Sequence, residues 1–476
     1  MYWSFDGDSL GQDDTGNGYN LTFTEGKTGT QSDNTPTGTG MSYYSRAEDE
    51  VVATATLDSL SMPSFSVSYW INALDPSTHY NVLGANGDWG VFWSHSYTGG
   101  LVYIGSTGDT RASVSGLYTE GEWTHITYTY DEGAATVYKN GEQVATHTDA
   151  GWESRPAWTI FQLGSAAATD NINGNLDDIA VWTTALSANA AKVLAGSKAT
   201  PTQLATMTTP TINAVANGVI SLSSQQDAYA YAVLQDNPIA YWRLNETEGT
   251  QFIDATGYGS NMSIQNGVTL SGGETLNGNS CAKFSAERVQ AGVKFTSNIP
   301  ADAVMSDGYS VEFWLNPDTF VTHHELTSGT DGGDSPNGWA TGFAMHTYRD
   351  NGDGKFYVGQ SGSARITTSD YDTPMTLDAW NYLVYTFDGE VGSLYLDGEM
   401  VATKNLAQGG DWGEIWLRNI SGAMSDLAIY DYALTAAQIS NHYALGNAQV
   451  PEPATWGMLL LGLGGILFMR KKRGQA

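Results

Sequence analysis

One stretch of this sequence occurs twice. Residues 123–146 (WTHITYTYDEGAATVYKNGEQVAT) recur without a gap as residues 380–403 (WNYLVYTFDGEVGSLYLDGEMVAT), with ten of the 24 aligned positions identical. Each copy begins with alternating apolar residues, a pattern typical of a strand with one buried face. Each then contains a dipeptide, Asn140-Gly141 or Asp397-Gly398, that favours the positive φ angles of a tight hairpin turn. The sequence therefore predicts an antiparallel meander that has been duplicated.

The segments around this stretch repeat in the same order. Each copy opens with Tyr-Trp in a strand pattern, passes through a turn with Thr-Gly, and later contains an alternating strand that ends in Trp. A predicted hairpin follows, and an apolar strand that carries Asp closes the sheet region. The matched pairs are residues 2–6 and 241–244, 14–18 and 254–257, 65–70 and 309–314, 90–105 and 342–359, and 176–182 and 424–430.

A short helix is predicted at the end of each copy. Ser187 and Thr435 stand where an N-cap hydroxyl accepts a backbone N–H. Gly196 and Gly446 stand at the predicted C-terminal ends, where glycine commonly stops a helix.

The repeat also predicts the domain organisation of the 476-residue chain. We expect one β-sandwich in residues 1–197 and a second in residues 237–446, each large enough to bury its own core. Residues 198–236 are predicted to be a linker that includes a short helix near residues 225–235. The 55 Gly residues, 12% aromatic residues and 15% charged residues agree with a turn-rich, all-β fold.

Charge and cysteine content exclude several classes of protein. The formal net charge is −31, and the only cluster of Lys and Arg lies in the last 27 residues. Phosphate recognition needs such clusters, so nucleic acid is excluded as a partner of the predicted sandwiches. Cys281 is the single cysteine, which rules out an intrachain disulfide, a cysteine-rich zinc site and a CxxC redox pair.

Taken together, the ordered motifs resemble a known family. The YW-x-[FL] opening, the D-x-[TS]-G turn, the strand ending in Trp, the W…YTxD…YxxGExVAT hairpin and the D-[IL]-A-[VI]-[WY]…AL-[ST] close are similar to LamG-like domains. Those domains belong to the concanavalin A-like lectin/glucanase superfamily. The resemblance covers about residues 1–197 and 237–446 and implies two tandem jelly-roll β-sandwiches. Sandwiches of this kind have many unrelated functions, so the resemblance names no ligand.

The C-terminal tail, residues 447–476, has a different character. It contains a Pro-Glu-Pro triplet, sixteen residues without charge (454–469) and then a basic cluster. A helix of sixteen residues reaches ~24 Å, slightly less than the ~30 Å hydrocarbon core of a bilayer. We therefore predict a short C-terminal transmembrane helix with its basic end in the cytoplasm. The residues that define the tail are Pro451, Glu452, Pro453, Arg470, Lys471, Lys472 and Arg473.

This three-part tail resembles a PEP-CTERM sorting signal. The resemblance implies an exosortase as a transient processing partner and the inner membrane as a temporary anchor. After cleavage the protein would be in the cell envelope or the extracellular matrix. Such a signal presupposes export, yet no basic-then-apolar pattern precedes Tyr2. We therefore expect that the start of the chain has been assigned too late; the alternative is a non-functional tail.

The sequence contains no arrangement that requires catalysis. The ExDxxE pattern of the superfamily's glucanases is absent, and so is GxSxG. His324-Glu325 is followed by Ser328 where an HExxH metalloprotease motif needs His. We therefore expect a protein that is not an enzyme.

A structural calcium ion is the cofactor that the resemblance implies. In related sandwiches such an ion joins an acid near the first strand to an acid on the last. The corresponding pairs here are Asp6 with Asp178 and Glu246 with Asp426. An Asp on an otherwise apolar strand needs a partner, because burying an unpaired carboxylate is costly. The alternative is that these Asp side chains face solvent or accept backbone N–H groups.

Tryptophan residues fall into two groups. One group lies in strand patterns and is predicted to be in the core: Trp3, Trp70, Trp123, Trp182, Trp242, Trp314 and Trp380. The other lies in turns rich in Gly and Asp: Trp89, Trp152, Trp339 and Trp412. A flat ring beside Asp or Asn acceptors suits a sugar, so the second group is the candidate carbohydrate site. The alternative is that these rings cover hydrophobic edges of the sandwiches.

Two functional hypotheses follow. The first is an exported, non-catalytic surface or extracellular-matrix protein that binds carbohydrate, such as an exopolysaccharide, and has polysaccharide or glycoconjugate partners. The second is a structural or protein-adhesion protein of the envelope that has no sugar site.

Overall fold

A computed structural model gives the structure of the chain. The residues that it describes are 1–7, 10–24, 30–46, 53–77, 80–86, 92–97, 100–105, 111–148, 157–164, 171, 173–264, 267–272, 275–285, 290–294, 307–320, 325–328, 343–347, 352–359, 365–406 and 414–448. They divide into two compact units. Unit 1 contains Met1–Met207 and Val215–Gly218, and unit 2 contains Thr208–Ala214 and the described residues from Val219 onward. Each unit has a hydrophobic core of its own.

Unit 1 is built mainly from strands, with two short helices after the last strand. Its strands in the described part of the chain are β1 (Tyr2–Trp3), β2 (Thr22–Phe23), β3 (Thr30–Ser32), β4 (Ser42–Ser45), β5 (Ala53–Leu60), β6 (Ser64–Ala73), β7 (Tyr80–Ala85), β8 (Phe92–Tyr97), β9 (Leu101–Gly105), β10 (Arg111–Ser115), β11 (Trp123–Asp131), β12 (Ala134–Lys139), β13 (Glu142–Thr148), β14 (Trp158–Leu163) and β15 (Gly174–Trp182). The helices are α1 (Ala188–Ala195) and α2 (Pro201–Leu204).

The strands of unit 1 form two antiparallel sheets. Sheet A has the order β13-β12-β11-β6-β15-β4-β3, with β1 also paired to β15, and sheet B has the order β10-β9-β8-β7-β14-β5-β2. Alternate residues of β6, Phe65, Val67 and Tyr69, are fully buried in the core. Trp3 of sheet A and Phe161 of sheet B stack with their ring centroids 5.2 Å apart. Unit 1 is therefore a two-layer β-sandwich.

Unit 2 repeats this plan. Its strands in the described part of the chain are β16 (Ala240–Trp242), β17 (Gln251–Phe252), β18 (Met262–Ile264), β19 (Val268–Thr269), β20 (Thr275–Leu276), β21 (Asn279–Ser280), β22 (Ala282–Phe284), β23 (Gln290–Lys294), β24 (Tyr309–Pro317), β25 (Glu325–Ser328), β26 (Ala344–Thr347), β27 (Phe356–Gly359), β28 (Arg365–Ile366), β29 (Asn381–Phe387), β30 (Val391–Leu396), β31 (Glu399–Asn405), β32 (Glu414–Arg418) and β33 (Gly422–Tyr430). Helices α3 (Thr209–Ala216) and α4 (Ala228–Gln235) precede the strands, and α5 (Ala436–Gly446) follows them.

The sheets of unit 2 correspond to those of unit 1. Sheet C has the order β19-β22-β33-β24-β29-β30-β31, with β16 also paired to β33, and sheet D has the order β17-β18-β23-β32-β25-β26-β27-β28. A small additional hairpin joins β20 to β21. The series β13-β12-β11-β6-β15 of unit 1 matches β31-β30-β29-β24-β33 of unit 2. The prediction of an all-β fold with two tandem jelly-roll β-sandwiches is confirmed.

Both predicted hairpin turns are present. Asn140 and Gly141, with φ angles of 50° and 81°, join β12 to β13. Asp397 and Gly398, with φ angles of 52° and 82°, join β30 to β31 in the same way. The repeated dipeptide therefore fixes the same turn in each unit.

The helix ends agree with the sequence. The Ser187 hydroxyl accepts the Ala190 N–H at 3.2 Å and begins α1. Thr435 begins α5 in a capping box with Gln438, in which each side chain accepts the other's backbone N–H. Gly196 is the C-cap of α1, as predicted.

Helix α5 ends at Gly446, as predicted, with Asn447 as its C-cap. A Cβ atom on Gly446 would lie 2.4 Å from the Trp314 ring. Glycine is therefore also required here because the helix approaches the Trp314 indole closely, a reason that the sequence did not indicate.

The segment predicted as a linker, residues 198–236, is largely helical. It contains α2, α3, a 3-10 turn (Gln225–Asp227) and α4. Leu204 and Tyr229 from this segment are buried, 3% and 4% exposed. The short helix expected near residues 225–235 corresponds to α4.

The prediction for the strand tryptophans was wrong for Trp70, Trp123, Trp182 and Trp380, which are only half-buried. Trp3 and Trp242 lie in the cores, as predicted. Trp314 is 1% exposed, but it packs against α5 on the opposite face of its sheet. The reason is the period of a strand: Trp70 follows the core-facing Tyr69 and therefore points away from the core.

Residues 449–476 of the C-terminal tail, which include the predicted transmembrane helix, lie outside the described residues. Among the helices that are described, none has the length and apolar character needed to cross a membrane.

Candidate functional site

The face of sheet A that points away from the core carries the candidate site of unit 1. Ser68 on β6 and His125 on β11 alternate with core residues, so their side chains lie on this outer face. Both are nevertheless buried, at 0% and 2% exposed. Helix α1 and the chain that runs on to Gln203 cover them, and a cavity of about 130 Å³ lies beneath this cover.

The cavity combines a polar floor with partly apolar walls. Its principal lining residues are Ser68, Trp70, His125 and Asp178 from sheet A, and Leu194 and Ala199 from the covering segment. Thr37 and Gln203 also line it and are themselves exposed. The cavity therefore reaches the surface of unit 1.

His125 is held in place through its backbone. Its N–H donates to Asn140 Oδ1 at 2.8 Å, and its carbonyl accepts the Asn140 N–H at 2.8 Å. The imidazole lies edge-on to Trp70, with centroids 5.0 Å apart and an angle of 66° between the ring planes. The predicted Asn-Gly turn thus positions a ring beside the cavity.

Two polar atoms at this floor have no hydrogen-bond partner among the residues that the structure describes. They are Nδ1 of His125 and Oγ of Ser68. Burial lowers the pKa of His125 to about 3, so the imidazole is neutral at physiological pH. A neutral imidazole offers one donor and one acceptor, and a hydroxyl offers both functions. Buried polar groups are normally paired, so these two atoms require an explanation.

Asp178 lies at a bulge in β15. Its φ angle is 47°, and the pairing of β15 with β6 shifts register between Asp177 and Ala180. The Tyr2 hydroxyl donates to Asp178 Oδ1. Burial raises the pKa of Asp178, and the charge of Asp6 raises it further. The bulge therefore turns one carboxylate out of the sheet and pairs it with the first strand.

Asp177 experiences the same electrostatic environment. Burial raises the pKa of Asp177 to about 9, with additional repulsion from Asp178 and Asp6. Unit 1 therefore brings Asp6 and Asp178, the predicted calcium pair, within reach of each other's charge.

The same bulge is present in unit 2, where Asp426 has a φ angle of 57°. The Tyr241 hydroxyl donates to Asp426 Oδ1, and the Ser425 hydroxyl donates to Oδ2 at 2.7 Å. Burial raises the pKa of Asp426, and the neighbouring Arg243 guanidinium partly offsets this. Arg243 also forms an ion pair of 2.8 Å with Asp227.

Glu246, the predicted partner of Asp426, is engaged elsewhere. One of its carboxylate oxygens accepts the Ile253 N–H at 2.8 Å. Arg243 instead supplies positive charge beside Asp426, so the donor set of unit 2 fits a calcium ion less well than that of unit 1. Within the described ranges, no three His, Cys, Asp or Glu side chains are grouped as a metal site. Calcium binding stays a prediction.

The outer face of sheet C is filled by side chains. Glu312 is 0% exposed and accepts hydrogen bonds from the hydroxyls of Tyr382 and Tyr430, the latter at 2.5 Å. His442 of α5 lies between two acids, with Nδ1 3.1 Å from Glu312 and Nε2 3.0 Å from Asp236. The contact between His442 Nε2 and Asp236 is an electrostatic attraction, because the two groups do not have the geometry of a hydrogen bond.

His442 is a cation because of these acids. Burial alone would lower its pKa, but the charge of Glu312 and the contact with Asp236 raise the pKa to about 10. Burial also acts to raise the pKa of Asp236, yet the interactions with His442 and Gln438 leave it below its usual range. Unit 2 therefore contains a buried acid–imidazolium–acid arrangement.

Most residues predicted to form sites cannot be placed in the fold. The carbohydrate candidates Trp89, Trp152, Trp339 and Trp412 lie outside the described residues, and so do Pro451, Glu452, Pro453 and the basic cluster 470–473. Sequence reasoning missed His125, Ser68, Glu312 and His442. For the three strand residues the available signal was a polar or aromatic residue between two core-facing strand positions, which also fits a solvent-facing side chain; for His442, on helix α5, the sequence carried no such signal.

Comparison with families of known proteins identifies both parts of the chain. The family model described as the concanavalin A-like lectin/glucanases superfamily matches residues 46–191 and 290–440, which is more than half of the chain. The chain belongs to the concanavalin A-like lectin/glucanase superfamily. The PEP-CTERM protein-sorting motif matches residues 449–473. A tail of this type indicates export to the cell envelope.

Solved structures with a similar fold include glycan-related and toxin domains. Domain 4 of AbnA, an extracellular arabinanase of Geobacillus stearothermophilus, in complex with arabinotriose, is 24% identical, with a TM-score of 0.33; 41% of this chain and 96% of that chain are covered. A Trypanosoma rangeli sialidase in complex with sialic acid is 11% identical, with a TM-score of 0.37; 76% and 62% are covered.

The binding domain of botulinum neurotoxin serotype C1 is 12% identical to this chain, with a TM-score of 0.33; 94% of this chain and 96% of that chain are covered. These similarities are too low to transfer a function. No curated protein matches the chain.

Proposed function

We propose that this chain is an exported, non-catalytic surface or extracellular-matrix protein that binds carbohydrate through its two LamG-like units. The observation that carries the proposal is the combination of two superfamily matches with a C-terminal sorting motif in one chain. An acidic, exported protein with two lectin-type sandwiches suits extracellular polysaccharide better than an intracellular partner. The ligand class proposed is an exopolysaccharide or another glycoconjugate.

The tail has a separate task in this proposal. The apolar segment holds the exported protein in the inner membrane, with the basic cluster on the cytoplasmic side. An exosortase, a transient partner, then cuts close to Pro451–Glu452–Pro453, and the sandwiches pass to the envelope or the matrix.

Glycan binding is tested on an array with residues 1–446. We expect Trp89→Ala and Trp339→Ala to weaken binding about tenfold or more, because stacking on a tryptophan in a predicted turn contributes affinity more than stability. Trp182→Ala, at a half-buried strand position, is the control and should leave binding unchanged. An array without any bound glycan would favour the structural or adhesion role instead.

The absence of catalysis is part of the proposal and has its own test. Glycosidases place two carboxyl groups on either side of the scissile bond. The half-buried Asp178 and the buried Asp426 and Glu312 instead accept tyrosine hydroxyls. Prolonged incubation with each glycan that binds should release no reducing sugar; measurable release would make the protein an enzyme.

A structural calcium ion is proposed for unit 1, held by Asp6 and Asp178. Binding to the folded state alone would raise the melting temperature by mass action. EDTA should therefore lower the melting temperature of the wild type, while the Asp178→Asn variant should be indifferent to EDTA. A wild type that melts at the same temperature with and without EDTA would remove calcium from the proposal.

A further inference from the structure

The cavity of unit 1 and the filled face of unit 2 occupy corresponding places in the two sandwiches. Counting from the aligned strands and from the two N-caps, Ser68, His125 and Leu194 correspond to Glu312, Tyr382 and His442. In unit 2 these larger or charged side chains satisfy one another. In unit 1 they are replaced by smaller or neutral ones, and about 130 Å³ of space remains.

This space has the features of a binding site rather than of a packing defect. Empty cavities in protein interiors are apolar, whereas polar cavities hold water or other molecules that pair with their polar atoms. Here His125 Nδ1 and Ser68 Oγ are buried and have no partner within the described part of the chain. Leaving both unsatisfied carries a desolvation cost that a bound hydroxyl compound would remove.

The charges around the cavity favour a neutral ligand over an anionic one. Asp178 lines it and repels anions. Lys198 also lines it, but its ammonium already donates to the carbonyls of Val215 and Ala216 at 3.0 and 3.2 Å. His125 carries no charge at neutral pH. The remaining donors and acceptors suit a neutral molecule that has hydroxyl groups.

The size of the cavity limits the ligand further. A protein cavity of about 150 Å³ holds a molecule the size of benzene, which has about six non-hydrogen atoms. Glycerol has that size, and so has the edge of a terminal sugar ring that carries two adjacent hydroxyls. The Trp70 ring and the Leu194 side chain provide the apolar wall against which the C–H groups of such a molecule pack.

We propose that the cavity between sheet A and helix α1 of unit 1 binds the adjacent hydroxyl groups of an uncharged polyol or of a terminal sugar residue, with His125 and Ser68 as its hydrogen-bonding floor. Binding of a terminal sugar residue in this cavity rests on the carbohydrate function proposed above, whereas binding of a free polyol does not. Unit 2 has no corresponding role, because Glu312 and His442 fill its outer face.

The test uses the full chain in a zwitterionic detergent, which carries no sugar headgroup. Saturation-transfer NMR is recorded with glycerol, erythritol, the methyl glycosides of neutral hexoses, and glucuronate as the anionic comparison. We expect the neutral probes to bind and glucuronate not to bind. Free polyols and methyl glycosides are measured in separate experiments, so a site for free polyols is distinguished from a site for sugar residues.

Two variants test whether the saturation-transfer signal comes from a probe bound in the cavity. Ala199→Leu fills it from the covering segment, and His125→Phe removes the ring nitrogens while keeping the ring. Each should weaken binding of the neutral probes about tenfold or more, because a site built to hydrogen-bond a hydroxyl loses that discrimination when the partner is removed. The matched control is Ala205→Leu, the same enlargement at an exposed position of the same segment; it should bind as the wild type does.

Each outcome is decisive. The proposal is overturned if no neutral probe binds the wild type, or if Ala199→Leu binds as tightly as Ala205→Leu. Should a variant fail to fold, the shift of the His125 ring resonances in the wild type on addition of erythritol decides instead. If Ala199→Leu still binds glycans on the array, the carbohydrate function is supported but does not depend on this cavity. If polyols bind the protein but no glycan on the array does, the cavity is supported as a binding site and the carbohydrate function is not.

Discussion

The outer faces of sheets A and C share one backbone framework but carry different side chains. Both have the same strand order, the same hairpin turn and a capped helix above the sheet. In unit 1 the helix covers a cavity floored by the neutral His125. In unit 2 it places the His442 cation on Glu312. The two units therefore share a backbone fold, and a few side-chain differences decide that the outer face contains a cavity in unit 1 and is filled in unit 2.

The comparison also shows how one residue type is used in opposite electrostatic states. His125 and His442 are both buried between the outer face of a sheet and the closing helix of their unit, His125 on the sheet and His442 on the helix. Without an acid beside it, burial lowers the pKa of His125; with Glu312 and Asp236 beside it, the pKa of His442 is raised. Charge in the buried layer therefore follows from the neighbours that each copy supplies.

The largest expected effect comes from breaking the buried ion pair of unit 2. Glu312→Ser installs the residue of unit 1 and leaves the His442 imidazolium without its main partner. Loss of one member of a buried pair costs about 3–5 kcal/mol. Hydrogen exchange of peptides from β24, β29 and β33 in the full chain measures this cost for unit 2 alone.

The control for this prediction is Ser68→Ala in unit 1. Since no described residue pairs with Ser68 Oγ, its removal should leave exchange from β6, β11 and β15 unchanged or slightly slower. The double variant Glu312→Ser with His442→Leu carries unit 1 residues at both positions and should lose clearly less than the sum of the single variants. Additive losses would show that Glu312 and His442 do not act as a pair.

The second prediction concerns the pH dependence of the two histidines. An unfolded histidine has a pKa of about 6.5. For His125, whose folded pKa is about 3, the contribution to stability is present above pH 6.5 and is lost as the pH falls towards 3. For His442, whose folded pKa is about 10, the contribution is present below pH 6.5 and is lost as the pH rises through 10.

Variants isolate these contributions from those of other groups, such as Asp177, whose raised pKa acts in the opposite direction to that of His125. Between pH 6.5 and 4.5 the wild type should lose about 2 kcal/mol relative to His125→Phe. Exchange of unit 1 peptides against pH provides the measurement. Parallel profiles for wild type and variant would show that His125 is protonated in the folded protein, and the electrostatic contrast with unit 2 would disappear.

A smaller effect is expected from the feature that both units share. Tyr2 and Tyr241 donate to the bulged Asp178 and Asp426. Tyr241→Phe should cost unit 2 about 1–2 kcal/mol, since Asp426 is fully buried, whereas Tyr2→Phe should cost unit 1 less, because water reaches Asp178. Denaturant unfolding followed by exchange in each unit gives both values; a larger loss from Tyr2→Phe would reverse the proposed order of burial.

The framework was predictable from the sequence because it depends on local chemistry. Asn140-Gly141 and Asp397-Gly398 take up the positive φ angles that only such dipeptides adopt readily, and Ser187 caps α1 through its own hydroxyl. The order of the strands followed from the same motifs appearing twice. None of these inferences needed knowledge of what covers the sheets.

The candidate site was not predictable for the opposite reason. Ser68 and Glu312 lie at the polar positions of alternating strands, which is the pattern of a solvent-facing residue. Their burial depends on helices more than a hundred residues away in the chain, so no local pattern records it. The same dependence applies to Gly446, which is required not only at the end of its helix but also by the close approach to the distant Trp314.

The smallest expected effect on either unit comes from removing residues 449–476. Three features of this segment have independent physical meaning: a Pro-Glu-Pro triplet, sixteen uncharged residues and a basic cluster that resists translocation. A soluble sandwich gains nothing from exposing such an apolar segment to water, so membrane burial or cleavage is its expected fate. Truncation should therefore change the stability of units 1 and 2 by less than about 0.5 kcal/mol, while intact mass of envelope material from the native host should give a chain that ends near residue 450. A truncated chain in which one unit melts early would show that the tail belongs to that sandwich, and an uncleaved Ala476 terminus from the cytosol would refute the assigned location.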